Sequence, residues 1–90
     1  MKTIHLLIKG KVQGVFYRAT AKEKAAELRL SGWIKNTDEG HVEAVASGTE
    51  DGIEAFITWC KKGPSGAEVN SVDVIETGEK ISEGFLILRR

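Results

Sequence analysis

The sequence predicts an α+β sandwich, with two helices laid on one face of an antiparallel sheet. Three observations predict it. Apolar residues alternate with polar ones in segments near residues 3–9 and 42–47. A second period, i, i+3, i+4 and i+7, marks an amphipathic helix in the later half. Turn-forming glycine and asparagine separate the segments. Ninety residues read as one domain, 1–90, long enough for a single core without disulfides.

The first strand is T-I-H-L-L-I-K, with Ile4, Leu6 and Ile8 on one face and His5 and Lys9 on the other. A helix follows from about Phe16 to Leu28, because Tyr17, Ala21, Ala25 and Leu28 recur at helical spacing. The charge run at 22–24 is its solvated face. G-W-I-K forms the second strand, N-T-D-E-G a turn, and V-E-A-V-A-S the third strand of a hairpin. Thr49 caps the second helix, and Glu50 and Asp51 suit the positive end of its dipole. Ile53, Phe56, Ile57 and Cys60 form its apolar stripe, and Gly63-Pro64 stops it. Val69 to Thr77 is a fourth strand, with Val72 and Val74 pointing inward, and Phe85 to Leu88 is a short fifth. The order βαββαβ with a terminal strand is the ferredoxin-like arrangement.

Composition removes several functions. Thirteen basic side chains balance thirteen acidic ones, which argues against a broad nucleic-acid or membrane footprint. No apolar run approaches the length of a membrane span, and the N-terminus lacks a secretory signal pattern. A cytoplasmic protein is expected. The single cysteine, Cys60, can form neither an internal disulfide nor a multi-thiolate metal site. Its place on an apolar helical stripe makes it a buried, inert thiol. His5, on a strand, and His41, in a turn, read as surface or hydrogen-bonded histidines, and Trp33 and Trp59 as packing residues.

The chemistry concentrates in G-K-V-Q-G-V-F-Y-R, Gly10 to Arg18. A strand, a glycine-bearing loop and a helix start make a natural anion site, because the first helical N–H groups lack partners. Arg18 can fold back over the loop with a planar fork suited to two phosphate oxygens. Lys9 and Lys11 add positive charge nearby. Neither G-x-x-x-x-G-K-[ST] nor G-x-G-x-x-G is present, so this is no nucleotide-fold loop. Asn36, taken alone, is a turn former.

Paired with a second stretch, W-I-K-N-T-D-E-G-H-V-E, this loop resembles the acylphosphatase family. Gly10 to Arg18 fits the family pattern G-x-V-Q-G-V-x-[FY]-R throughout. Gly32, Trp33, Asn36, Gly40, Val42 and Gly48 fit a second signature, and K-K-G-P-S-G-A-E-V from Lys61 to Val69 is a third similarity. Two residues depart from the pattern. Arg29 stands where the family often has glycine, and Ile34 where a smaller residue is common. The resemblance implies hydrolysis of the carboxyl-phosphate anhydride of acyl phosphates. It implies that Gln13, Gly14, Val15, Phe16, Tyr17 and Arg18 bind phosphate, and that Arg18 and Asn36 are catalytic, Asn36 by orienting water. It implies no metal and no cofactor. The expected partner is a small acyl phosphate, not nucleic acid or membrane, and the chain is expected to be a free-standing monomer.

Three rivals are weaker. An RNA-recognition module of the same element order needs stacking aromatics, and V-E-A-V-A-S has none. A metal carrier of this fold needs C-x-x-C. A non-catalytic phosphate-binding module would have no use for Asn36.

Overall fold

The computed structural model describes residues 1–89. Its first segment becomes β1 (Lys2–Lys11), and the predicted alternation is its burial pattern: Ile4, Leu6 and Ile8 are fully buried. Each such side chain withdrawn from water contributes about 1.5–3 kcal/mol. Then come α1 (Tyr17–Glu27), β2 (Ser31–Asn36), β3 (Val42–Gly48), α2 (Glu50–Lys62), β4 (Glu68–Glu76) and β5 (Phe85–Ile87). The sheet order is β4-β1-β3-β2-β5. The first four strands pair antiparallel, and β5 adds to β2 in parallel, so the sheet is mixed.

Both helices cover one face of this sheet. Thr49 Oγ1 accepts the Gly52 N–H at 3.1 Å, as the sequence predicts for the cap of α2. Ile53, Phe56 and Cys60 are buried against the sheet, and Ile57 packs at the margin. α1 buries Tyr17, Ala21 and Ala25, one side chain per turn. The fully buried Ile34 fills space against the same core, so a larger residue than the family pattern suggests is accommodated. Val72 packs on the core, but Val74 corrects the expectation for β4. It pairs with Leu6 and yet is 38% exposed, because β4 is the outermost strand. On the opposite face Val45 is also fully buried. It lies between His5 and Trp33 in the register.

α1 ends in a left-handed turn. The Leu30 N–H reaches Ala25 O at 2.9 Å and the Arg29 N–H reaches Ala26 O at 3.1 Å, the paired bonds that close a helix through a left-handed residue. That residue is Arg29, at φ 58. A side chain there is strained, whereas glycine is not. Arg29→Gly is therefore expected to stabilise the fold by up to about 1 kcal/mol, less the entropy glycine adds to the unfolded chain. A thermal melt that falls instead would show that the Arg29 side chain makes a compensating contact.

Strand direction positions the site. β1 and β2 are both antiparallel to β3, and β5 is parallel to β2. All three therefore end at the same edge of the sandwich. The loop after β1, the turn after β2 and the residues after β5 meet there. At the end of β1 the ladder with β4 is interrupted between Lys9 and Gly10. A Cβ on Gly10 would stand 2.1 Å from Glu68 O, so only glycine lets the two backbones approach there. No helix of the described residues is long and apolar enough to cross a membrane.

Candidate active site

The loop between β1 and α1 is shaped by two left-handed residues. Gly14 has φ 76 and Phe16 has φ 63. Gly14 is exposed and a Cβ there would touch nothing, so its requirement is conformational. Phe16 is the residue preceding α1, and no side chain caps the helix. The first helical bond runs from Thr20 N to Phe16 O. The N–H groups of Tyr17, Arg18 and Ala19 thus have no helical acceptor, and no acidic residue lies in the first turn. This uncapped, positive helix end lies where the sequence leads one to expect an anion site.

Gln13 ties the loop to the hairpin. Its Nε2 donates to Thr37 O at 2.9 Å and to His41 O at 2.8 Å. The turn is closed on itself by Thr37 N–H to His41 O, Gly40 N–H to Thr37 O and His41 N–H to Thr37 Oγ1. The Gln13 side chain is therefore committed to structure, and only its backbone remains for a ligand. Val15 turns its side chain onto the core. Tyr17 is 1% exposed and donates its hydroxyl to Cys60 O at 2.7 Å. Burial holds that phenol protonated, far above its usual range.

Asn36 ends β2 in phase with the buried Ile34, on the helix side of the sheet. Its Oδ1 is buried and accepts no hydrogen bond among the described residues. An orphaned acceptor of this kind is uncommon in folded proteins. Arg18 makes no salt bridge or side-chain hydrogen bond among the described residues.

Two adjoining clefts share Arg18. One, of about 250 Å³, is lined by Gln13, Arg18, Asn36, Thr37, Leu88 and Arg89. The other, of about 320 Å³, is walled by Val12, Gly14, Phe16, Tyr17 and Ile87 with Arg18 and Arg89. Among the described residues no carboxylate lines either one. A chain of zero net charge thus concentrates two guanidinium groups at one spot. Lys9 and Lys11, expected to add charge nearby, are not among the residues that line these clefts. Lys9 pairs with Asp73 at 3.5 Å. The second guanidinium is that of Arg89, a residue that sequence reasoning missed. The Leu88 N–H bonds Ile34 O at 2.8 Å, extending the parallel register of β5 toward the level of Asn36.

The remaining polar candidates lie outside the clefts. Burial pushes the Cys60 thiol up to about 12, which keeps it inert. His5 Nε2 is 2.7 Å from Glu43 Oε2. His41 is half-buried, and its Nδ1 has no partner among the described residues. Trp59 packs on Tyr17 with ring centroids 5.2 Å apart. Trp33 lies on the open sheet face and donates to Glu79 at 3.0 Å. No group of three or more His, Cys, Asp or Glu side chains gathers in metal-binding fashion among the described residues.

Comparison with known proteins identifies the family. The Acylphosphatase family model matches residues 4–87. An acylphosphatase of Methylococcus capsulatus is 49% identical over 92 residues, covering 99% of this chain and 98% of that protein. The crystal structure of an acylphosphatase from Bacillus subtilis superposes with a TM-score of 0.93 at 31% identity, covering 99% of this chain and all of that one. An acylphosphatase structure from Coxiella burnetii gives 0.93 at 40% identity, covering 97% of this chain and 92% of its own. The match spans almost the whole chain, and the chain belongs to the acylphosphatase family.

Proposed function

We propose that this chain hydrolyses acyl phosphates to a carboxylate and inorganic phosphate. The observation that carries the reading is the meeting, in one cleft, of Arg18 with an Asn36 Oδ1 that has no partner among the described residues, none of which brings a carboxylate to that cleft. The loop amides from Gln13 to Arg18 and the Arg18 fork hold the phosphoryl oxygens. A water donates one O–H to Asn36 Oδ1, which directs its lone pair at phosphorus. The new P–O bond forms as the P–O bond to the acyl group breaks. That electron pair leaves on the carboxylate, and the water proton passes to a phosphoryl oxygen.

The physical demands match these groups. Phosphoryl transfer needs positioning and stabilisation of charge on three equatorial oxygens, more than covalent help. A carboxylate leaves readily, so no strong general acid is required. A neutral amide holds water without repelling a dianion, as a carboxylate would. No metal or cofactor has a role in this scheme. The chain acts as a single domain and a monomer in the cytoplasm, on small molecules rather than nucleic acid.

The test is hydrolysis of benzoyl phosphate by purified protein in excess EDTA. Turnover at the same rate with and without chelator is expected. A folded sample that binds inorganic phosphate but turns over no acyl phosphate would instead identify a non-catalytic anion module. Turnover that EDTA abolishes would overturn the metal-free scheme while leaving the substrate class intact.

A further inference from the structure

Arg89 is carried to the site by a backbone that first crosses the whole sheet. β4 and β5 are the two outermost strands, so the chain between them passes from one edge to the other. Trp33 Nε1 donates to Glu79 in this crossing segment, and the Gly32 N–H bonds Gly84 O at 2.9 Å where it arrives. β5 then runs parallel to β2, and the Leu88 N–H on Ile34 O extends that register past the strand. The next residue is Arg89, which lines both clefts. It is exposed, and its side chain makes no ion pair or hydrogen bond among the described residues. It ties down no part of the fold by a polar contact, and its charge is uncompensated.

The two arginines of the site differ in their surroundings. Arg18 is half-buried, where its planar fork can close on phosphoryl oxygens with little competition from water. Arg89 stands in water. A solvated charge gains little from a direct contact, but its field reaches about a Debye length, roughly 30 Å at 0.01 M salt and 3 Å at 1 M. Charges at the rim of a site therefore act on the rate of association and on its salt dependence. The chain as a whole has no such field, because its net charge is zero. Lys9 is paired with Asp73 at 3.5 Å, and no carboxylate among the described residues lines either cleft. A phosphate dianion is thus drawn to this mouth rather than to the surface at large.

We infer that Arg89 is the capture residue of the site. It draws the substrate's phosphoryl group in through its long-range field and passes it to Arg18 and the loop amides, and it does not grip the transition state. The inference rests on the acyl phosphate hydrolysis proposed above. It makes the two arginines inequivalent. Loss of Arg18 removes a contact at every salt concentration. Loss of Arg89 removes a field that salt screens away in the wild type as well.

The experiment measures kcat and KM for benzoyl phosphate in wild type, Arg89→Gln and Arg89→Lys, from about 0.01 M to about 1 M salt. A dianion and a unit charge about 8 Å apart in water attract enough to change binding about fivefold. Arg89→Gln is therefore expected to lower kcat/KM about fivefold at the lowest salt and less than about twofold at the highest. The loss should fall on KM rather than kcat. Arg89→Lys keeps the charge without the fork, so it should stay within about twofold of wild type throughout. A loss in Arg89→Gln that falls on kcat, or that persists at the highest salt, would place Arg89 on the transition state or in the packing of β5 and overturn the capture role alone. So would wild-type salt dependence in Arg89→Gln, or a failure of Arg89→Lys to restore it. A wild-type protein that hydrolyses no benzoyl phosphate would overturn the underlying reading, and the capture role with it.

Discussion

Arg18→Ala is expected to lower kcat/KM for benzoyl phosphate by about 10³-fold or more. The magnitude follows from simple electrostatics. A unit charge 4 Å from another interacts by about 4 kcal/mol at an effective dielectric near 20, and that is about 10³ in rate. Arg18 is half-buried at the junction of two clefts and has no carboxylate to neutralise it among the described residues. Its charge is available to a ligand. Arg89 shares both clefts but is exposed, so solvent weakens its attraction and it cannot replace Arg18. Inorganic phosphate should cease to compete in the variant. Arg18→Lys restores the charge but not the planar fork, so it should recover only part of the loss. The thermal midpoint of Arg18→Ala should stay close to wild type, because no described ion pair or side-chain hydrogen bond is lost. Retained phosphate competition in Arg18→Ala would move the anion site elsewhere.

The outcome for the sequence reading divides along a physical line. Features that depend on neighbours in the chain were legible. The alternation of Ile4, Leu6 and Ile8 predicts the buried face of β1, and the stripe from Ile53 to Cys60 with its Thr49 cap predicts α2. The glycine loop and Arg18 also form a local pattern, a strand running into a helix start. Asn36 required the family resemblance, because an asparagine before a turn is ordinary on local grounds. Features set by register between distant segments stayed hidden. Arg89 reaches the site only because β5 pairs in parallel with β2, and three residues of a terminal strand carry no sign of their direction. The two bonds from Gln13 to the hairpin span 24 and 28 residues, which no periodicity encodes. Phe16 hid for the opposite reason. Its residue type argues against positive φ, so the local rule pointed away from what the loop adopts.

Asn36→Ala separates the two halves of the proposed site, and its stability effect has an unusual sign. The buried Oδ1 gains no donor among the described residues. Leaving such a group unsatisfied costs about 1–3 kcal/mol. Alanine removes that group, so the variant should melt at or above the wild-type temperature despite the lost atoms. Activity should move the other way. Loss of one positioned group costs ~10²–10³ in rate, and here the group acts on water rather than on phosphate. The loss should therefore fall on kcat, with KM and inhibition by inorganic phosphate little changed. Asn36→Asp provides the discriminating control. It keeps an acceptor for the water but sets a negative charge beside the phosphoryl group, so KM should rise and phosphate inhibition weaken. If Asn36→Ala melts well below wild type and loses phosphate binding along with turnover, the side chain is a structural tie for the hairpin and the water must be held by another group. If turnover alone collapses while the fold gains or holds stability, the orphaned oxygen is a site whose partner arrives with the substrate.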